Sequence, residues 1–192
     1  MRLRRPGREV VDPVSRLQEY AHVQVRAGVL TGADLLVELT RVASEDVGGE
    51  DPAGLAMDAV ARARTLAREE QGAWRPITDH DRLEAVFERL RASGIAVLPA
   101  VDEHWRAARE LERRDEAGES LRGIAWFTLA DIWHAVEHGM LEVNLWHGDS
   151  ANVAPGDRLL EEPVDAFAAE GLSAHFDEGR IEVGASWQRR VV

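Results

Sequence analysis

Apolar side chains recur every three to four residues through the first half of the chain, then alternate with polar ones in several short runs. The first rhythm predicts helices buried along one stripe; the second predicts strands buried on one face. Val14, Leu17, Ala21 and Val25 follow Pro13, a residue suited to the first helical position, and Gly28 stands where that stripe stops. Thr31 precedes a second stripe of Leu35, Leu36, Leu39, Val42 and Ala43, and Asp34 lies three residues after it, so a capping box is expected. Gly48 and Gly49 close that helix. Asp51 and Pro52 open a third, whose face of Ala56, Val60, Ala63 and Ala67 predicts close packing but little buried area. Pro76 breaks the pattern, and Thr78 caps a fourth helix carrying Leu83, Val86, Phe87 and Leu90.

After Gly94 the texture changes. Residues 95–98, bounded by Pro99, read as a buried strand, and the charge-dense stretch 102–117 as a solvated helix laced with local ion pairs. Residues 124–128 are strand-like, and Thr128 with Asp131 forms a second expected capping box on a short helix ending at Gly139. Leu141, Val143 and Leu145 alternate with Glu142, Asn144 and Trp146, a half-buried strand. Residues 148–155 form a loop. Leu160, Val164, Phe167 and Ala168 mark another helix, with Pro163 predicting either a kink or a later start. Two final strands, 172–176 and 181–187, flank a turn through Gly179. The order is about four helices, then β-α-β-α-β-α-β-β. It predicts an α+β fold, with an N-terminal helical layer packed on a mixed sheet of about five strands whose interleaved helices cover one face. Residues 1–12 are expected as a disordered basic tail and 13–192 as a single domain, with a sub-boundary near 73–76.

Composition narrows the chemistry. The chain has 192 residues and a net charge of −12; all 23 basic residues are arginine, and cysteine is absent. A disulfide scaffold, a zinc ribbon and a cysteine nucleophile are thereby excluded. The 45% hydrophobic content is enough for a core, and no apolar run approaches the ~20 residues of a membrane span. The acid surplus argues against nucleic acid and anionic lipid as partners and leaves a protein partner as the expectation. Arg2, Arg4, Arg5 and Arg8 make a basic start, but Pro6 and Gly7 stand where a signal peptide needs an apolar stretch, so a cytoplasmic location is expected.

Residues 17–31, residues 78–95 and the run from Gly123 through Trp187, Gln188, Arg189 and Arg190 resemble an uncharacterised bacterial family, domain of unknown function 6891. The resemblance covers residues 17–190 and implies no activity. Relatives of this kind often carry a cysteine cluster just after the strand corresponding to residues 95–98. Here Pro99, Ala100, Val101, Asp102, Glu103, His104 and Trp105 stand there, so any metal role of those cysteines does not carry over.

Three constellations could carry chemistry. His134, Glu137 and His138 spell H-x-x-E-H, the pattern of inverted zinc proteases. On a wheel of ~100° per residue the histidines lie opposite the apolar residues Ile132, Trp133 and Val136, so an exposed pair is expected rather than a catalytic cleft. Asp131, His134 and His138 share a face that could hold Zn²⁺ or Ni²⁺ adventitiously; no dedicated cofactor is expected. Asp79, His80, Asp81 and Arg82 gather two carboxylates, an imidazole and a guanidinium, a ligand-gripping cluster or a plain helix cap. Trp146, followed by His147, points away from the apolar side of its strand and could anchor a partner or ligand. No nucleophile elbow, phosphate-binding loop or dinucleotide fingerprint is present.

With no catalytic set evident, the expected function is a non-catalytic protein-binding or regulatory module, an acidic immunity-type protein being one version. The alternative is a small-ligand-binding protein or enzyme with a polar pocket between the helical layer and the sheet. A metal-binding protein using the His134/His138 face is the third reading.

Overall fold

The computed structural model describes residues 12–191, so the segment expected as a basic tail lies, apart from Asp12, outside the described residues. Asp12 caps α1 (Pro13–Ala27), its Oδ1 accepting the Val14 N–H at 2.9 Å. α2 (Gly32–Val42) runs into a π-helical turn at Ala43–Val47. α3 (Pro52–Gln71) starts beside Asp51, which accepts the Gly54 N–H at 2.8 Å. These three helices bury a core of their own around Leu17, Leu35, Leu39 and Val60. The alanines of α3 face it, as their spacing predicts, and α3 packs most closely on α1.

α4 (Asp79–Ala92) leads into β1 (Ile95–Val101), followed by α5 (His104–Glu116), β2 (Gly123–Thr128), α6 (Leu129–His138), β3 (Met140–His147), α7 (Arg158–Ala169), β4 (Ser173–Asp177) and β5 (Arg180–Gly184). The strand order is β1-β2-β3-β5-β4, with β1 parallel to β2 and every other pair antiparallel. The protein is therefore α+β: a mixed five-stranded sheet with its helices, and an N-terminal helical layer that docks on it through α1 against α6. Glu178 (φ 42°) and Gly179 (φ 96°) turn the last hairpin, both left-handed as a two-residue I′ turn demands. α4, α6 and α7 cover the inner face of the sheet, where Phe87 stacks on Phe127 (5.4 Å) and meets Phe167 edge-on (6.4 Å). Both full capping boxes on this half form: Asp81 and Asp131 each close back on the N-cap threonine of its helix.

The structure departs from the sequence pattern in six places. Helices cover both faces of the sheet: α5 lays Ala107 and Leu111 over Ile124 and Trp126, because the outer side of β1 and β2 is apolar too. β1 extends through Pro99 and is an edge strand, a position that tolerates a proline with no N–H to donate. The β1–β2 register shifts between Leu98 and Val101, where Ala100 takes φ 53°. α7 begins at Arg158, so Pro163 lies inside it. Thr31 makes no side-chain cap bond, so the capping box expected with Asp34 does not form. Finally, β5 ends at Gly184, and residues 185–191 leave the sheet and cross to the helical layer.

Candidate functional site: an arginine-lined cavity under the C-terminal tail

The tail is held at each step by a different element. The Ser186 N–H donates to Asp79 Oδ2 at 3.2 Å, at the start of α4. The Trp187 backbone N–H donates to Ala135 O of α6 at 3.1 Å, and its indole Nε1–H to Ala27 O of α1 at 3.2 Å. The same indole meets His80 edge-on at 4.7 Å and Phe127 at 5.9 Å. Arg190 Nη2 donates to the carbonyls of Arg75 (2.9 Å) and Pro76 (3.2 Å), and Val191 packs on the core of the helical layer. One short strap thus joins the two main cores of the molecule.

Arg189 lies across Gly28. A Cβ at Gly28 would displace its guanidinium, and the residue sits at φ 66°, a left-handed backbone that favours glycine. The guanidinium rests near the C-terminus of α1, where positive charge is favoured.

Between this strap and the helical layer is a cavity of about 160 Å³. Arg64 of α3, Arg189 and Arg190 line it together with Thr31, the N-cap of α2. No acidic side chain lines it, in a chain of net charge −12. Neither Arg64 nor Arg189 forms a hydrogen bond or ion pair with a described residue. Thr31, at the N-terminus of α2, makes no side-chain cap bond. Arginine forks, a free hydroxyl and a helix N-terminus are the donors that bind a carboxylate or phosphoryl group.

The predicted ligand cluster at α4 divides its work. Asp81 Oδ2 accepts from the Thr78 N–H (2.8 Å) and from the Thr78 hydroxyl (3.0 Å); the backbone bond first of all holds its carboxyl below the usual range. Asp79 holds the tail through Ser186 and sits 3.8 Å from Arg82. His80 is half-buried against Trp187; burial, with the charge of Arg189, lowers its pKa to about 4. These residues do not line the cavity; they position the strap that brings the arginines to it.

The other candidates lie elsewhere. Trp146 is half-buried and packs T-shaped on Trp126 at 5.2 Å, as part of the cluster beneath α5. His147 Nε2 is 3.1 Å from Asp157 Oδ2, which also accepts the Ala154 N–H at 2.7 Å; that backbone bond, then His147, lowers the Asp157 pKa. The His134 and His138 rings are 4.9 Å apart; His138 is exposed as expected, but His134 is half-buried. Asp131 does not join them: its Oδ2 is taken by the Thr128 N–H (2.7 Å) and hydroxyl (2.8 Å). Among the described residues no three His, Asp or Glu side chains converge as a metal-holding group. Nor is any described helix long and apolar enough to cross a membrane.

Arg64, Arg189 and Arg190 were not legible as site residues. The only signal was an arginine pair just past the last alternating run, which reads equally as a solvated end.

The family described as domain of unknown function 6891 matches residues 11–191, nearly the whole chain. The chain belongs to this family. The match spans the helical layer, the sheet and the tail together, so the cavity is built entirely from the family's domain. No curated protein and no solved structure matches the chain.

Proposed function

We propose that this member of the family is a non-catalytic small-ligand-binding protein that takes an anionic group in the cavity beneath the C-terminal tail. The observation that carries the reading is the convergence of Arg64, Arg189 and Arg190 on one cavity with no carboxylate among its lining. In a strongly acidic protein, arginines are expected to pair with the abundant acids, as Arg41, Arg113, Arg114 and Arg180 do. Arg64 and Arg189, whose side chains form no ion pair with a described acid, keep donors for a ligand.

Inorganic phosphate titrated into the ¹⁵N-labelled protein is expected to shift the amide signals of Thr31, Gly32 and Ala33. Arg64→Ala with Arg189→Ala should weaken that binding at least tenfold, about 1.4 kcal/mol. Arg158→Ala, at the exposed first position of α7, should leave it unchanged. An unresponsive Thr31 region, or equal binding by the double variant, would refute the reading.

A protein partner is the second reading. Trp146 is half-buried against Trp126, but the outer edge of β1 offers a surface: its unpaired backbone borders a cavity of about 220 Å³ lined by Ile95, Val97 and Leu98 with Arg91, Glu110 and Arg114. An extended partner segment adding a strand there would protect alternate β1 amides from exchange. Unchanged exchange along β1 in the presence of a captured partner would exclude that mode.

A further inference from the structure

The lining of the tail cavity is graded from apolar to cationic. Its deeply buried members are Val25, at 6% exposure, and Leu35, at 3%, with Leu30 and Val191 half-buried beside them. Its exposed members are Thr31, Arg64 and Arg190. The floor is therefore hydrocarbon and the mouth carries the donors. A bare inorganic anion would meet the donors at the mouth and leave the floor in contact with water or empty.

The volume sets the size of what fills that floor. An apolar protein cavity of about 150 Å³ accepts a benzene-sized molecule, whereas one water takes up about 30 Å³. The cavity of about 160 Å³ is of the first size. Burying apolar ligand surface against Val25 and Leu35 yields free energy on the order of 25 cal/mol per Å². The arginines then fix which end faces out, since a charged group cannot enter the apolar floor without losing its hydration.

We infer that the ligand is a small organic anion: one carboxylate or phosphoryl group carried on an apolar body about the size of a single ring. The inference rests on the anion-binding reading above and names the ligand class for that site. The charged group meets Arg64, Arg189 and the Thr31 end of α2, while the apolar body lies on Val25, Leu30 and Leu35. Arg190 keeps one side of its guanidinium on the carbonyls of Arg75 and Pro76 and turns the rest to the mouth.

Four probes separate the terms: inorganic phosphate, benzoate, phenyl phosphate and benzyl alcohol, each titrated calorimetrically into the full chain with amide shifts as the site readout. Benzoate or phenyl phosphate is expected to bind at least tenfold tighter than inorganic phosphate, with shifts at Thr31 and at Leu35. The order of those two identifies carboxylate or phosphoryl as the preferred head. Benzyl alcohol, of the same shape but neutral, should bind at least tenfold more weakly than benzoate. Leu30→Phe, which fills the cavity from a half-buried position, should bring the organic anions down toward the affinity of inorganic phosphate.

Equal binding of inorganic and organic anions would overturn the ligand class and leave the anion site standing. Benzyl alcohol binding as tightly as benzoate would overturn the role of the arginines and hence both readings, as would failure of all four probes to bind.

Discussion

Trp187→Ala is expected to lower the unfolding free energy by about 3–5 kcal/mol, the range for emptying a large buried aromatic site. The indole is 4% exposed and touches Phe127 in the inner core, His80 on α4 and the last turn of α1. Its loss opens a cavity where three elements meet and orphans the Ala27 carbonyl. Trp187→Phe keeps most of the ring contacts but lacks the Nε1–H donor, so it should cost roughly 1–3 kcal/mol. Urea unfolding followed by circular dichroism measures both. For a chain of this size each kcal/mol moves Tm by ~2–4 °C, so the alanine variant should melt roughly 6–20 °C below the parent. A fall under about 1 kcal/mol would mean that the strap does not tie the two cores together.

The same strap shows what the sequence could and could not convey. Helices with a stop and a start written locally were legible: Gly28 and Gly139 as ends, Thr78 as a cap, Thr128 with Asp131 as a capping box, Asp51-Pro52 as an opening. The β-α-β-α-β-α-β-β order was legible because each element carries its own period. Strand order was not, since nothing local to β5 says that it inserts beside β3 rather than at the edge. The end of β5 was also hidden. Ala185 and Trp187 continue the alternation and are buried, but against α1 and α6 instead of a neighbouring strand. Period two reports burial on one side and is silent about what does the burying. For Thr31 the cap signal was correct in kind: it is the N-cap of α2, yet its hydroxyl is not bonded back to the helix. A site assembled from the end of one helix, the middle of another and a tail distant in sequence leaves no compact motif to find.

Acid should act on the strap before it acts on the carboxylates. His80 has a pKa of about 4 in the folded protein against 6.5 for the free side chain, chiefly through burial and secondly through Arg189, with Asp81 opposing. Above pH 6.5 the imidazole is neutral in both states and contributes no pH dependence. As pH falls from 6.5 toward 4, the unfolded chain takes up a proton that the folded chain refuses, so stability declines across that window. At 1.36 kcal/mol per unit the shift bounds the loss near 3 kcal/mol; partial solvent screening of a half-buried ring brings the expected loss to about 1–2 kcal/mol. His80→Gln keeps a polar side chain of similar reach and should flatten the decline by that amount. An unaltered pH profile would exclude His80 as its source. Arg189→Ala should raise the His80 pKa, read directly by NMR titration of the imidazole, because it removes a cation from beside the ring. An anion bound to Arg189 acts in the same direction, and linkage makes the effect reciprocal: lowering the pH toward the His80 pKa should tighten anion binding as long as the strap stays docked. That coupling follows from Arg189, which lines the cavity and whose charge also lowers the His80 pKa.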